Sequence, residues 1–472
     1  MKKYDKLYIN GEWVNSNNDE IIEVINPATE NPCARVPKGN REDVDAAVAS
    51  ARQAFDSWAH TPAQTRAQIM KAAADEMQRR TDDLIDAHVI TMGSPRHLAA
   101  GLHVDAAINA MRYYANRAKQ MDEVEEKSGL SLLKEPVGVC ALINPWNYPL
   151  VQLVGKVAPA LAAGCTIVAK PAGQTPLQDF IMAEIFAAVG LPAGVFNLVS
   201  GPGSVIGPIL SSHPAVDMVS FTGSTHAGIK VAEAAAPTVK RVCQELGGKS
   251  PYIITEDADL EAAVRYGVED VMLNTGQTCN ALTRMFVPRD HYEEAVNVAK
   301  RIAEENIVGD PNDSRVTMGP MASASQKQTV LEYIKTGIAE GARLVTGGID
   351  MPPGLGVGAY VRPTIFADVS NEMVIAREEI FGPVLCMIVY DDIEGAIEMA
   401  NDTIYGLSSG VYAKDKASAL KIARRIRAGQ CYIQGGYFNS DAPFGGYKQS
   451  GNGRECGDQA MHEYIEIKAL IS

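Results

Sequence analysis

The stretch Val216-Asp-Met-Val-Ser-Phe-Thr-Gly-Ser-Thr-His-Ala-Gly228 decides the fold. Val216 to Phe221 is a short apolar run of strand length, Gly223 turns the chain, and Ser224 to Ala236 carries helical spacing. At such a strand–glycine–helix junction the first backbone N–H groups and the helix dipole form a site for an anion such as a pyrophosphate. The spacing is not the Gly-x-Gly-x-x-Gly fingerprint. It is no Walker loop either, because Ile229 rather than lysine follows Gly228.

The same rhythm extends outward on both sides. Thr166 to Ala169 reads as a strand, Thr175-Pro176-x-Gln178 as the cap of a helix ending at Gly190, and Val195 to Val199 as another strand, with a short helix opening near Gly201. This pattern predicts a mostly parallel sheet with ligands at the carboxyl ends of its strands. A second alternating set runs from Pro251 to about Gly429. Its strands include Pro251 to Thr255 and Met285 to Val287, and its helices Leu260 to Leu273 and Tyr292 to Glu305. Two α/β blocks without a repeat between them imply two domains and a cleft. Upstream, Asn10-Gly11 between short apolar runs signals a two-residue hairpin over Leu7–Val14. Further on, Thr61, Pro62 and Gln64 read as the capping box of a helix whose packed face carries Ile69, Ala73 and Met77.

A chain of 472 residues that is 46 % hydrophobic and 21 % charged is an ordinary globular composition, long enough for two or three domains. Its formal net charge of −14 disfavours nucleic acid, whose phosphates an acidic surface repels. The greasiest region, Val137 to Lys170, is broken by Asn144, Pro145, Asn147, Pro149, Lys156 and Pro159, so no membrane span is expected. The N-terminal residues show no apolar signal core, and a cytoplasmic location is the expectation. The eight cysteines are scattered and never form C-x-x-C, and the histidines show no metal-binding spacing. Free thiols and no metal are expected.

Three residues are candidates for chemistry, and any single cysteine taken alone still reads as structural. Cys279 lies in Asn274-Thr-Gly-Gln-Thr-Cys-Asn-Ala-Leu-Thr-Arg284, framed by Gly276 and small polar residues rather than by the apolar run that surrounds an inert cysteine. Glu245, in Val242-Cys-Gln-Glu-Leu-Gly-Gly-Lys-Ser-Pro251, closes a strand pattern. It is either an exposed strand-end acid or a general base whose burial raises its proton affinity. Asn147, in Asn144-Pro-Trp-Asn-Tyr-Pro149, sits on a rigid loop anchored by Trp146. Its amide can serve packing alone or donate to a developing oxyanion.

Taken in order along the chain, these segments resemble the aldehyde dehydrogenase superfamily. The others are Lys170-Pro-Ala-Gly-Gln-Thr-Pro176, Phe221-Thr-Gly-Ser224, Glu378-Glu-Ile-Phe-Gly-Pro-Val384 and Pro443-Phe-Gly-Gly-Tyr-Lys-Gln-Ser-Gly451. The resemblance implies an α/β fold with a Rossmann-type dinucleotide-binding domain over residues 1–120 and 140–248. It also implies a catalytic domain over 249–438 and a small β oligomerisation arm from 121–139 and 455–472 that builds a homodimer or homotetramer. It implies Cys279 as nucleophile, Glu245 as base and Asn147 as oxyanion donor beside the Cys279 N–H, with Glu455 as a second acid relaying protons. Lys170 and Glu379 would bind the two riboses of NAD, and Phe381 would pack by the nicotinamide. Ile143, Pro145, Trp146, Gly203, Gly207, Phe221, Gly223, Ser224 and Leu246 would line the rest of the cofactor site. The implied reaction oxidises an aldehyde to a carboxylic acid through a Cys279 thioester.

Two positions depart from the family. Where NAD-specific members carry a glutamate three residues after the lysine, this chain has Gly173, which opens the site to NADP. Gln434 replaces an asparagine before Gly435-Gly-Tyr-Phe438, where two glycines suggest a roomier or more flexible substrate mouth, walled by Tyr148 and Phe444. An uncharged aldehyde suits that mouth better than a dicarboxylic semialdehyde. The competing readings are a CoA-acylating dehydrogenase, which typically lacks the glutamate, and a catalytically inactive structural relative, which would have lost Cys279 or Glu245.

Overall fold

The computed structural model describes residues 2–472 and is organised by two large sheets. The first has eight strands in the order Gly451–Asn452, Arg241–Glu245, Met218–Thr222, Val139–Ile143, Thr166–Lys170, Phe196–Leu198, Leu7–Ile9 and Glu12–Val14. Its central five strands are parallel. They are largely buried, as strands covered by helices on both faces must be. The edges are antiparallel: Gly451–Asn452 on one side, and on the other the hairpin whose turn residues Asn10 and Gly11 both have positive φ.

The second sheet runs Arg343–Thr346, Thr364–Ala367, Val384–Tyr390, Arg284–Pro288, Pro251–Ile254, Gly410–Tyr412 and Tyr432–Ile433. It is parallel apart from its first edge strand. A third sheet pairs Glu125–Lys127 with Leu130–Pro136 and adds the C-terminal strand Ile465–Ile471 antiparallel to the latter.

In the first sheet the strand ends are aligned so that chemistry collects at one rim. Ile143 faces Lys170 on one side and Phe221 on the other, and Thr222 faces Glu245. The helix Pro149–Ala163 leaves this rim with proline in its first turn and stops at Gly164, whose φ of +98° suits glycine.

The two predicted threonine caps do not form. Helix Ala63–Arg79 starts after Pro62 with no side-chain cap, and the Thr61 hydroxyl instead donates to the Ser57 carbonyl, one of those left free at the end of the preceding helix (2.9 Å). Likewise the helix Leu177–Ala188 follows Pro176 uncapped, and Thr175 Oγ1 donates to the Trp146 carbonyl (3.2 Å). In both places a nearer acceptor claims the hydroxyl. Ser224 does cap its helix, Thr225–Ala235, accepting from Ala227 N (3.3 Å). Among the described residues no helix is long and apolar enough to cross a membrane.

Candidate active site

Cys279 lies on a loop whose backbone is held in an uncommon shape. After helix Leu260–Met272, residues Asn274, Thr275 and Gly276 take left-handed φ values of 54°, 58° and 72°. Such a conformation costs about 1 kcal/mol or more for a non-glycine residue and persists only where surroundings enforce it. Here Thr275 Oγ1 donates to Gly319 O (3.2 Å), and Gln277 Oε1 accepts from Ala322 N (2.8 Å). A side chain at Gly276 would collide with the backbone of Gly382 and Pro383. The thiol at the end of this loop is partly exposed, whereas Cys140, Cys165, Cys243 and Cys386 are buried. Burial, and then the carboxyl groups of Glu379, Glu245 and Glu455, push the Cys279 thiol well above its ordinary range. Three acids from distant parts of the sequence therefore act on one sulfur, and the resting group is the thiol.

Glu245 ends its strand, paired with Thr222 on one side and Gly451 on the other. It is buried, its Oε2 has no hydrogen-bond partner, and burial together with the neighbouring Glu455 raises its proton affinity well above the carboxylate range. Lys156, fully buried in the helix Pro149–Ala163, pulls the other way. Its Nζ lies 2.8 Å from Glu455 Oε1 and donates to Gln152 Oε1 (2.9 Å) and Thr222 Oγ1 (2.7 Å). In the sequence Lys156 was legible only as an interruption of an apolar run. The signal available was a lone lysine in a helix with no solvent face, since a buried ammonium requires partners.

Asn147 is buried, and its Nδ2 donates to Gln277 O (3.0 Å), two residues before Cys279. One of its two amide protons remains free for a further acceptor. Tyr148 O–H pairs with Thr278 Oγ1 (2.8 Å), so the Asn-Pro-Trp-Asn-Tyr-Pro loop is stitched to the cysteine loop on both sides.

Of the residues expected at the cofactor, Ile143, Lys170 and Phe221 stand side by side at that rim. Lys170 is buried, its ammonium donates to Pro171 O (2.6 Å), and burial lowers its pKa to about 8. Behind it Asp179, raised to about 7 by burial, accepts from Asn144 Nδ2 (3.0 Å). Gly203 and Gly207 lie on helix Gly203–Ser212, and a Cβ at either would meet nothing within 4 Å. Gly223 packs against the Phe221 ring, and the Leu246 side chain packs against Gly228. Glu379, raised to about 7 by burial, accepts from Gly248 N (3.0 Å) through Oε1. Phe381 meets the Trp146 ring edge-on at 5.3 Å. Ile143 and Pro145 connect this group to the strand end. Open space beside Gly203 and Gly207, the buried Lys170 ammonium and the helix start capped by Ser224 have chemistry that suits a dinucleotide.

The geometry agrees with the comparisons. The aldehyde dehydrogenase family model matches residues 13–470. The chain belongs to the aldehyde dehydrogenase family. It is 47 % identical over 472 residues to 3-succinoylsemialdehyde-pyridine dehydrogenase of a Pseudomonas species, spanning 100 % of this chain and 99 % of the relative. Among solved structures it is similar to a cysteine-to-alanine mutant of aldehyde dehydrogenase C from Pseudomonas syringae, complexed with NAD+ and octanal. The identity is 46 % and the TM-score 0.98, over 99 % of this chain and 96 % of that one. A Mycobacterium tuberculosis aldehyde dehydrogenase complexed with NAD+ gives 42 % identity and a TM-score of 0.96, over 100 % and 99 % of the two chains.

The mouth differs from its expected flexibility. Gln434 clamps both amide atoms onto the backbone of Ala413, donating to its carbonyl (2.7 Å) and accepting from its N–H (2.5 Å), and Tyr266 O–H donates to Gly436 O (2.7 Å). The two glycines therefore shape a pinned turn, with Gly435 at a φ of 70°. Beyond it Tyr437 and Phe438 are exposed, and the Phe438 ring meets Phe444 at 6.1 Å.

Proposed function

We propose that this aldehyde dehydrogenase oxidises an uncharged aldehyde to its carboxylic acid, with NAD as hydride acceptor and a thioester on Cys279. The observation that carries the reading is Asn147 Nδ2 stitched to the cysteine loop at Gln277 O, two residues before Cys279, together with the buried Glu245, whose Oε2 is unpartnered among the described residues. Glu245, a buried acid with raised proton affinity and an oxygen unpartnered among the described residues, is suited to take a proton from water. The sulfur gives up its proton to solvent, the one proton that the overall oxidation releases, and attacks the carbonyl carbon. The free Asn147 amide proton and the Cys279 N–H stabilise the resulting alkoxide. NAD, held by Lys170, Glu379 and the helix start at Ser224, would supply the acceptor for the hydride that this carbon loses. The thioester is then hydrolysed by water whose proton passes to Glu245, and Cys279 leaves as the sulfur of the regenerated thiol. NAD+ in the complexes of similar enzymes supports the cofactor assignment.

The substrate class is read from the mouth, where the Phe438 and Phe444 rings offer contact to an apolar chain and no partner to a carboxylate. Octanal in the complex of the Pseudomonas syringae enzyme supports this choice. The test is reduced-cofactor absorbance with an aldehyde panel, with NAD or NADP, each with and without CoA. The expected result is free acid without CoA and a kcat/KM for octanal at least about tenfold above that for succinic semialdehyde. Turnover only with CoA would overturn the hydrolytic step, and equal rates on the two aldehydes would overturn the substrate class.

Gly173 sets cofactor choice by omission. A Cβ there meets nothing within 4 Å, so Gly173→Glu introduces a carboxylate without strain. Its charge accepts from ribose hydroxyls and repels a 2′-phosphate. The ratio of kcat/KM for NAD over NADP is expected to rise by about tenfold or more, and an unchanged ratio would remove Gly173 from the ribose site.

The exposed apolar side chains Ile467, Leu470 and Ile471 on the C-terminal strand support a further part of the proposal: the third sheet joins subunits into a dimer or tetramer. A cytoplasmic location is proposed on the eight free cysteines, since a reducing compartment keeps thiols unpaired.

A further inference from the structure

Behind the cysteine loop the chain makes an unusual turn. Between Arg96–Leu98 and the helix Ala106–Arg117 the backbone widens into a π-helical segment, Ala99–Asp105. Such segments redirect a side chain and are found frequently at functional sites. The residue this one carries into the interior is His103, which is fully buried. Its ring stacks on Tyr148 with centroids 4.8 Å apart and planes 28° apart, and it lies 4.5 Å from the ring of His88, also fully buried. None of the four ring nitrogens has a hydrogen-bond partner among the described residues. Buried polar groups are rarely left unpaired without a reason.

A complementary orphan sits opposite. Asn274 donates through Nδ2 to Asn147 O (3.1 Å) and Gln277 O (3.4 Å), which fixes the orientation of its amide and turns Oδ1 away from both carbonyls. That buried Oδ1 has no donor among the described residues. The carboxamide lies close enough to His103 to favour its protonated form, but burial outweighs this and lowers the imidazole to about 4, so the ring is neutral at working pH. A neutral imidazole has one N–H to give.

We propose that His103 is a positioning residue for the oxyanion pocket. Its single N–H serves Asn274 Oδ1, and its ring face supports Tyr148, with His88 behind it. Through Asn274 it sets Asn147, whose backbone carbonyl Asn274 holds and whose side chain reaches Gln277. Through Tyr148 it sets Thr278, the residue before Cys279. One buried ring thus braces both loops that must stay in register as charge develops on the substrate oxygen, and small displacements there are costly. The proposal rests on Asn147 acting as the oxyanion donor.

The experiment compares His103→Phe, His103→Gln and Asn147→Ala in the full-length enzyme, reading the pre-steady-state burst of reduced cofactor, the KM for aldehyde and the Kd for NAD. His103→Phe keeps a ring against Tyr148 and loses the N–H. Its burst rate is expected to fall about tenfold with KM and Kd unchanged, and His103→Gln, which keeps an N–H donor, is expected to recover part of the loss. A wild-type burst in His103→Phe, alongside a slow one in Asn147→Ala, overturns this proposal alone. A wild-type burst in Asn147→Ala overturns the oxyanion reading and this proposal with it. If His103→Phe does not fold, nitrogen-15 histidine NMR of the wild-type enzyme decides. A neutral ring in one tautomer with an exchange-protected N–H is expected at neutral pH, and averaged tautomers or a charged ring overturn the proposal.

Discussion

Cys279→Ala is expected to abolish reduced-cofactor formation with every aldehyde while leaving NAD binding intact. Removal of a covalent nucleophile costs on the order of 10⁶ in kcat, because neither the oxyanion donors nor the base can act until the bond to carbon exists. The substitution is also mild structurally. The forced backbone of the loop is held by Thr275, Gln277 and the tight approach of Gly276 to Gly382, none of which uses the Cys279 sulfur. The groups proposed for the cofactor, Lys170, Glu379 and the helix begun by Ser224, stand on other elements. Kd for NAD by fluorescence titration and turnover by absorbance separate the two effects. Aldehyde oxidation retained by the variant would remove Cys279 from its role. Since the acidic neighbours disfavour the thiolate, alkylation of the wild-type thiol without cofactor is expected to be slow at neutral pH and to quicken as pH rises.

How much of this was legible before folding depends on whether a residue acts through its own element or through a distant one. The strand-and-helix rhythm around Val216–Gly228 was readable because periodicity and glycine punctuation are local, and most predicted elements have counterparts within one or two residues of their expected ends. The helix caps at Thr61 and Thr175 were misread because each hydroxyl finds a carbonyl outside its own helix, Ser57 in one case and Trp146 in the other. Cys279, Glu245 and Asn147 carried motif signals, but their meeting required three separate segments to be brought together. Lys156, Asn274 and His103 were not legible as a site. Their neighbours in sequence are ordinary, and only the fold places a buried ammonium beside Glu455, or an imidazole beside Tyr148 and an unpaired carboxamide oxygen. The pinned mouth shows the same limit, because two glycines in a row read as flexibility until Gln434 is seen to grip Ala413.

The second large effect concerns the step after hydride loss. Glu245→Gln is expected to leave thioester formation within about tenfold of wild type and to slow its hydrolysis by about 10²–10⁴-fold, the span typical of general-base removal. The structure gives the reason for the asymmetry. Glu245 is buried next to Glu455 with an oxygen that no protein group engages, so its useful property is proton affinity rather than a structural contact. Glutamine preserves volume and the strand pairing to Thr222 and Gly451, and removes only that affinity. Acyl-enzyme should then accumulate, seen as one equivalent of reduced cofactor per Cys279 in a burst and as an acyl-mass increase on the protein. The pH profile provides an independent check. Because the working form is the carboxylate and its proton affinity is raised, wild-type hydrolysis is lost as pH falls through that raised value, above the ordinary carboxylate range. In the glutamine variant this acidic limb disappears, and the residual rate rises with hydroxide alone. Normal turnover with no accumulated acyl-enzyme would place the base elsewhere. A limb that survives the substitution would remove Glu245 as its source.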